Sequence, residues 1–289
     1  MKHLVFLMAL LSSTSVFAAP VMVDTDWLVK NKKSNNIVVV DTSDHTQYLR
    51  FHIPGAIHID YSEITYKRRQ DKVSVQVPND YFIKLLGQNG ITNDSHIIIY
   101  DDMGGLNAGR LFWQLEQIGH KNVSVLNGGL VKWILEHRKV NNKPEKRLPS
   151  VYKTNNKNTR DNLAVQSDLN KEKALLIDAR TKDEYIGHPK YPRTGHIPGA
   201  VLWDWQENVD FENAFVLKTK QRISKEQKNI DLKDKNKEII AYCRSGHRAA
   251  QTYLTLRNLG FNNVKLYDGS MAEYSRNKKA PLEKGCSVC

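Results

Sequence analysis

Cysteine is scarce in this 289-residue chain, which has only Cys243, Cys286 and Cys289. So few exclude a scaffold held by disulfides, which takes several pairs where a core is too small. Long apolar runs are also missing. The run Leu4–Leu11 falls well short of the ~20 residues that span a bilayer, so a polytopic membrane protein is excluded. Glycine (16) and proline (9) do not dominate and 40% of residues are hydrophobic, which excludes disorder as the main state. At roughly 150 residues per domain, the length accommodates two domains with a core each.

Charge is uneven. Lys and Arg number 43 against 31 Asp and Glu, a net +12 with histidine neutral. Much of the excess lies in Lys- and Asn-rich stretches at 30–33, 141–146, 153–158 and 233–237. They lack the interleaved aromatics of a single-strand nucleic-acid groove. No helix-turn-helix or zinc-finger spacing accompanies them, so nucleic acid is not an expected partner. They read as solvated surface, and the net positive field favours encounter with a small anion.

The N-terminus reads as an export signal. Lys2 and His3 precede the apolar run, Ser12–Ser15 is polar and small, and Val16-Phe17-Ala18 offers small residues for cleavage. No cysteine follows to carry a lipid, so no membrane anchor is expected once 1–18 is removed. The expected destination is the periplasm, or secretion where the cell has none.

The rest of the chain is a repeat at an offset near 142. Val38-Val39-Val40-Asp41-Thr42 answers to Leu175-Leu176-Ile177-Asp178-Ala179, and His52-Ile53-Pro54-Gly55-Ala56 recurs as His196-Ile197-Pro198-Gly199-Ala200. Further on, Ile97-Ile98-Ile99-Tyr100-Asp101 pairs with Ile239-Ile240-Ala241-Tyr242-Cys243, and Leu126-Asn127-Gly128-Gly129 with Tyr267-Asp268-Gly269-Ser270. The expected organisation is a signal at 1–18, domains at 19–140 and 161–285, a linker at 141–160 and a tail at 286–289.

Each copy reads as α/β. Runs such as Ile37–Val40 are short and β-branched, as buried parallel strands are. Between them lie amphipathic segments carrying Leu111, Leu115 and Ile118, or Ala250, Leu254 and Leu259. Pro54-Gly55 and Pro198-Gly199 mark turns into strands. The alternation predicts, in each domain, a mostly parallel sheet with helices on both faces.

In such sheets ligands bind at the carboxyl ends of strands. After Ile239–Tyr242 comes Cys243-Arg244-Ser245-Gly246-His247-Arg248, then a helix. A cysteine there meets loop N–H groups and the positive end of a helix dipole. Arg244, Arg248 and a protonated His247 add charge. All of this favours the thiolate, the nucleophilic form.

These residues resemble the tandem-domain rhodaneses, which comprise thiosulfate and 3-mercaptopyruvate sulfurtransferases. The resemblance rests on the two His-Ile-Pro-Gly-Ala motifs, Asp178-Ala179-Arg180, the Cys243–Arg248 loop and Asp268-Gly269-Ser270-Met271-Ala272-Glu273-Tyr274. It implies two rhodanese-like domains, of which only the second is active. Asp101 stands where Cys243 stands, and a carboxylate cannot form a persulfide. The resemblance implies that Cys243 takes the sulfur and that Arg180, Arg244, Arg248, Ser245, Gly246 and His247 bind substrate. Arg180 has an alternative as a surface ion pair with Asp183 or Glu184, and Arg248 as a brace of the loop. The implied partners are a small anionic sulfur donor, thiosulfate or 3-mercaptopyruvate, and a thiol or cyanide acceptor. A monomer is expected.

Two other readings compete. A phosphatase of this fold needs five residues between Cys and Arg; here there are four, and Ala249 occupies the required position. A sulfur-binding module without turnover is disfavoured by the intact Cys243 loop. His52 and His196 occur in both copies although one is inactive, so a shared structural role is expected; Arg193 is left open. No metal and no cofactor are expected. Cys286-Ser287-Val288-Cys289 has the spacing of a redox pair, able to close as a disulfide or accept sulfur, but reads most simply as a tail outside turnover. Arg244 favours thiosulfate as donor, and Ser245 favours mercaptopyruvate.

Overall fold

The computed structural model describes residues 19–153, 159–191 and 193–286. The expected signal segment, 1–18, lies outside the described residues. In the first copy the order is β1 (Met22–Val23), α1 (Thr25–Asn31), β2 (Ile37–Asp41), α2 (His45–Arg50), β3 (Ile57–His58) and β4 (Thr65–Lys67). Then come β5 (Ser74–Gln76), α3 (Asn79–Gln88), β6 (His96–Tyr100), α4 (Leu106–Gln117), β7 (Val123–Leu126) and α5 (Gly129–Leu135). The second copy runs β8 (Leu163–Ala164), β9 (Leu175–Asp178), α6 (Lys182–Ile186), β10 (Val201–Leu202), β11 (Val209–Asp210) and β12 (Val216–Leu217). It closes with α7 (Lys220–Glu226), β13 (Ile239–Tyr242), α8 (His247–Asn258), β14 (Val264–Tyr267) and α9 (Ser270–Tyr274).

The two sheets have the same order, β1-β7-β6-β2-β3 and β8-β14-β13-β9-β10. Every pairing in them is parallel. All five residues of β2 and all four of β13 are buried, the pattern of strands with helices on both faces. The repeated histidine motif is built the same way twice. His52 Nδ1 donates to the Tyr48 carbonyl (2.8 Å) and His196 Nδ1 to that of Tyr185 (2.9 Å), each ring stacked on the same tyrosine.

Three features add to the sequence expectations. First, α4 and α8 are not amphipathic in effect: Leu106–Leu115 and Ala249–Leu256 are buried throughout. One side of each covers its own sheet and the other packs on its counterpart across the domain boundary. Gly109 makes this approach possible, since a Cβ there would lie 2.8 Å from the Ala250 carbonyl oxygen. Second, β4–β5 and β11–β12 are antiparallel hairpins that cross to the other copy. Gln76 N–H donates to Asp268 (2.7 Å), and Leu217 N–H donates to Asn127 (2.8 Å). Third, the segment after Asn141 lies against the first domain rather than free of it. Ser150 N–H bonds to the Gly87 carbonyl (2.8 Å), and the buried Tyr152 hydroxyl meets His120 (2.8 Å).

Candidate active site

Cys243 follows the last residue of β13, and α8 begins four residues later. Its thiol is free and the residue is 1% exposed. The loop is pinned from below by the turn into α9. Ser270 Oγ accepts the N–H groups of both Cys243 and Gly246 (3.1 Å each) and donates to the Tyr267 carbonyl (2.7 Å). The N–H groups of Met271 and Ala272 bond to the carbonyls of Cys243 and Arg244 (3.0 and 2.8 Å). Gly246 caps α8 at φ +76°, and a Cβ there would stand 2.6 Å from Asp268 Oδ1 and 2.8 Å from Arg110 Nη1. Only glycine fits a left-handed position so enclosed.

The arginines divide by partner. Arg248 forms a bidentate pair with Glu184 (2.6 and 3.0 Å). Burial opposes its charge, while Glu184 and the nearby Cys243 sulfur raise its pKa above the usual value. Arg180 is buried against Asp178 (2.6 Å) and the Gly195 carbonyl (2.8 Å), so its ion pair is with its own strand end and not with Asp183 or Glu184. Arg244 is exposed and carries no side-chain hydrogen bond or ion pair among the described residues. A cavity of about 580 Å³ is lined by Arg180, Arg193, Arg244, Met271 and Arg276 among others. Arg193 also caps the carbonyls of Ser275, Asn277 and Ala280. Ser245 is half-buried, with no side-chain hydrogen bond among the described residues.

The first domain closes the other side. His247 Nε2 lies 2.6 Å from Asn107 Oδ1, and its ring meets Tyr61 at 4.2 Å. Burial, with Arg110 and Arg248 beside it, pulls the His247 pKa down to about 4. The expectation that His247 adds positive charge is therefore corrected: it is neutral at neutral pH. Tyr61 is pushed up to about 12, mainly by burial.

A family model, the rhodanese-like domain, matches residues 24–136 and again 162–277. The chain belongs to the rhodanese family. Relatives cover nearly its whole length. The sulfur carrier protein TtuD of Thermus thermophilus is 31% identical over 92% of this chain and 97% of its own. The thiosulfate sulfurtransferase of Corynebacterium glutamicum is 30% identical over 91% of this rhodanese and 90% of its own length. Among solved structures, SseA from Escherichia coli, described as a 3-mercaptopyruvate sulfotransferase, superposes with a TM-score of 0.74 at 27% identity. That match covers 87% of this chain and 99% of the other.

In this rhodanese the first copy shows what such a loop holds. Asp101 folds its carboxylate into its own loop, accepting the N–H groups of Met103 (3.0 Å), Gly105 (2.9 Å), Asn107 (2.8 Å) and Ala108 (3.0 Å). Gly105 and Gly246 both cap their helices in the left-handed conformation. Counting from them, Asn107 is the counterpart of Arg248, and Arg110 that of Gln251. Arg110 lies about a turn farther along α4 than Asn107. Sequence reasoning missed Ser270 as the pivot and Glu184 as the brace of Arg248. Among the described residues, no three His, Cys, Asp or Glu side chains stand where they could hold a metal ion.

Proposed function

We propose that this rhodanese is a thiosulfate sulfurtransferase that carries sulfur as a persulfide on Cys243. The carrying observation is the pair of loops. In copy one an amide cradle encloses a built-in carboxylate; in copy two the matching position holds a free thiol. The N–H groups of Arg248 and Ala249, in the first turn of α8, have no intrahelical acceptor and suit a sulfur anion. The thiolate attacks the outer sulfur of thiosulfate, the sulfur–sulfur bond breaks, and sulfite leaves with the electron pair. Cyanide or a thiolate then attacks the outer persulfide sulfur and returns the Cys243 thiolate. Loop amides and the helix dipole stabilise the charge on sulfur at each stage.

Arg244 supports thiosulfate as donor, because its unpaired guanidinium is available to an anion in the adjoining cavity. Arg180 also lines that cavity, its guanidinium fixed in place by Asp178. A 3-mercaptopyruvate donor is the second reading, favoured by Ser245 and by the likeness to SseA. The lead test is intact-mass spectrometry: thiosulfate should add about 32 Da, one sulfur atom, and cyanide should remove it. Failure of Cys243 to acquire sulfur from either donor would end this reading.

Export to the periplasm is part of the proposal and rests on the sequence of 1–18 alone. Cell fractionation of the full chain, with the mature N-terminus read by mass spectrometry near Ala19, tests it. A cytoplasmic product that keeps Met1 would refute it.

A further inference from the structure

The inactive domain contributes one group to the active loop that nothing so far has used. Arg110, on α4, is 0% exposed. Its Nη1 donates to Asp268 Oδ1 at 2.6 Å, and its guanidinium lies over the Trp113 ring at 4.8 Å. Its Nε and Nη2 are buried with no hydrogen-bond partner. Unmatched buried N–H groups are costly, and a fold that keeps them invites a functional reason. The same guanidinium sits 2.8 Å from where a Cβ of Gly246 would be, directly beneath the loop.

The pseudo-symmetry supplies the control. In the mirror position under the inactive loop stands Gln251, which bonds to Asn208 (2.8 Å) and approaches the Gly104 carbonyl. In place of Asp268 stands Asn127. The charged pair is therefore found only beneath the loop that has a thiol. We propose that Arg110 is a positioning residue for the Cys243 reaction, a guanidinium lent by the inactive domain that stabilises the sulfur anion of the active loop. The proposal rests on the persulfide reading above.

Charged and titratable groups surround Cys243 on every side. Its own loop brings Arg244, neutral His247 and Arg248 with Glu184; the neighbouring strand brings Arg180 with Asp178. The α9 turn brings Asp268, and the first domain brings Arg110 and Tyr61. Burial works against Arg110, but Asp268, Tyr61 and Cys243 together raise its pKa above the usual value. Arg248 faces Glu184, which also accepts from the N–H and hydroxyl of Thr181, and Arg180 faces Asp178 at its own strand end. Asp268 divides its charge between Arg110 and the Gln76 N–H.

The experiment uses the full-length protein and the pH midpoint of Cys243 alkylation by iodoacetamide, a readout independent of sulfur transfer. Arg110→Gln should raise that midpoint by about one pH unit and lower kcat about tenfold, with KM for thiosulfate within about threefold. Arg110→Lys, which keeps the charge, should restore most of both. Asp268→Asn should move the midpoint the opposite way. The double variant R110Q/D268N reproduces the neutral pair of the inactive side and protects against misfolding; its midpoint should lie above that of D268N alone. An unmoved midpoint in R110Q, or a double variant whose midpoint is no higher than that of D268N, would overturn the proposal. So would R110Q and D268N shifting together, which is the behaviour of a purely structural strap. The wild-type sulfur adduct, measured in parallel, reports separately on the persulfide reading.

Discussion

The loops that follow β6 and β13 stand in the same place in the two copies, yet they use their N–H donors differently. Asp101 turns its carboxylate inward and takes four of them, so the first loop is complete without a ligand. Cys243 takes none with its side chain. Its loop is held instead by Ser270, which engages two backbone N–H groups from outside the cradle. One loop carries its own anion; the other is braced so that an anion can come and go. The first loop is also one residue longer before its capping glycine, and no arginine stands between Asp101 and that glycine. The two loops thus differ throughout and not by a single exchange.

The largest test of this difference is to exchange the nucleophiles. Cys243→Ser should abolish sulfur transfer from every donor and leave the fold intact, because serine fills the thiol's space without its nucleophilicity. Installing Asp101→Cys in that background should not restore turnover, since the longer loop brings no arginine. Steady-state assay with both donors checks this; turnover above a few per cent of wild type in either variant would break the comparison.

Next in size are the arginines that copy one lacks. Arg244→Ala removes a charge-assisted contact worth about 1.5–3 kcal/mol when desolvated, a loss in kcat/KM of roughly 10- to 150-fold. Thiosulfate has two charges close to the moving sulfur, and mercaptopyruvate has one farther away, so thiosulfate turnover should suffer more. Arg244→Lys should recover part of the loss. Arg180→Ala should differ in kind. It strands the buried Asp178 carboxylate, which typically costs roughly 3–5 kcal/mol, so thermal unfolding should fall together with activity. Equal damage to both donors by Arg244→Ala would remove the preference for thiosulfate.

How much of this could be read in the sequence depended on distance along the chain. The duplication, the parallel sheets and the Cys243 loop lie in contiguous motifs, and each was legible. Arg248 was legible as a residue but not as an ion pair, because Glu184 lies 64 positions away; Arg180 was legible too, but Asp178, two residues before it, was passed over as its partner in favour of Asp183 and Glu184. Arg110 reaches Asp268 across 158 positions, and no local periodicity signals such a contact. The same holds for the helices at the interface: α4 has apolar residues at helical spacing, but the second domain, through Asp268, explains why Arg110 on its other side is buried as well.

A smaller effect compares two histidines, one in each copy, the first buried and the second partly so. Burial pulls His120 down to about 4, as burial and two arginines do for His247. Each is neutral in the folded protein, whereas in the unfolded chain it protonates near 6.5. The unfolded state therefore binds more protons between those values, and stability is full above pH 6.5 and falls as pH drops toward 4. By pH 5.5 each histidine should account for roughly 1.4 kcal/mol. Urea titrations at pH 7.5 and 5.5 should show the loss, and His120→Gln and His247→Gln should each remove one share. A stability that stays flat across this range would contradict the neutral state of both rings.

The smallest expected effect lies at the C-terminus, where the copies again run parallel. Asn141 returns to pair with His52 through both backbone bonds (2.7 and 2.8 Å), and Glu283 does the same with His196 (2.9 and 3.0 Å). In copy one the chain then continues along the domain; in copy two Lys284 Nζ bonds to the Tyr191 carbonyl (2.9 Å) and Gly285 N–H to the Ile186 carbonyl (2.9 Å). Cys286 is exposed and disulfide-bonded, while Cys289 lies outside the described residues. Truncation after Gly285 should leave thiosulfate:cyanide activity within about twofold, well under the roughly 1.4 kcal/mol of a tenfold change. A larger drop, restored by a small dithiol, would make the cysteine pair a sulfur acceptor or a redox guard and give copy two a second working thiol site that copy one has no means to match.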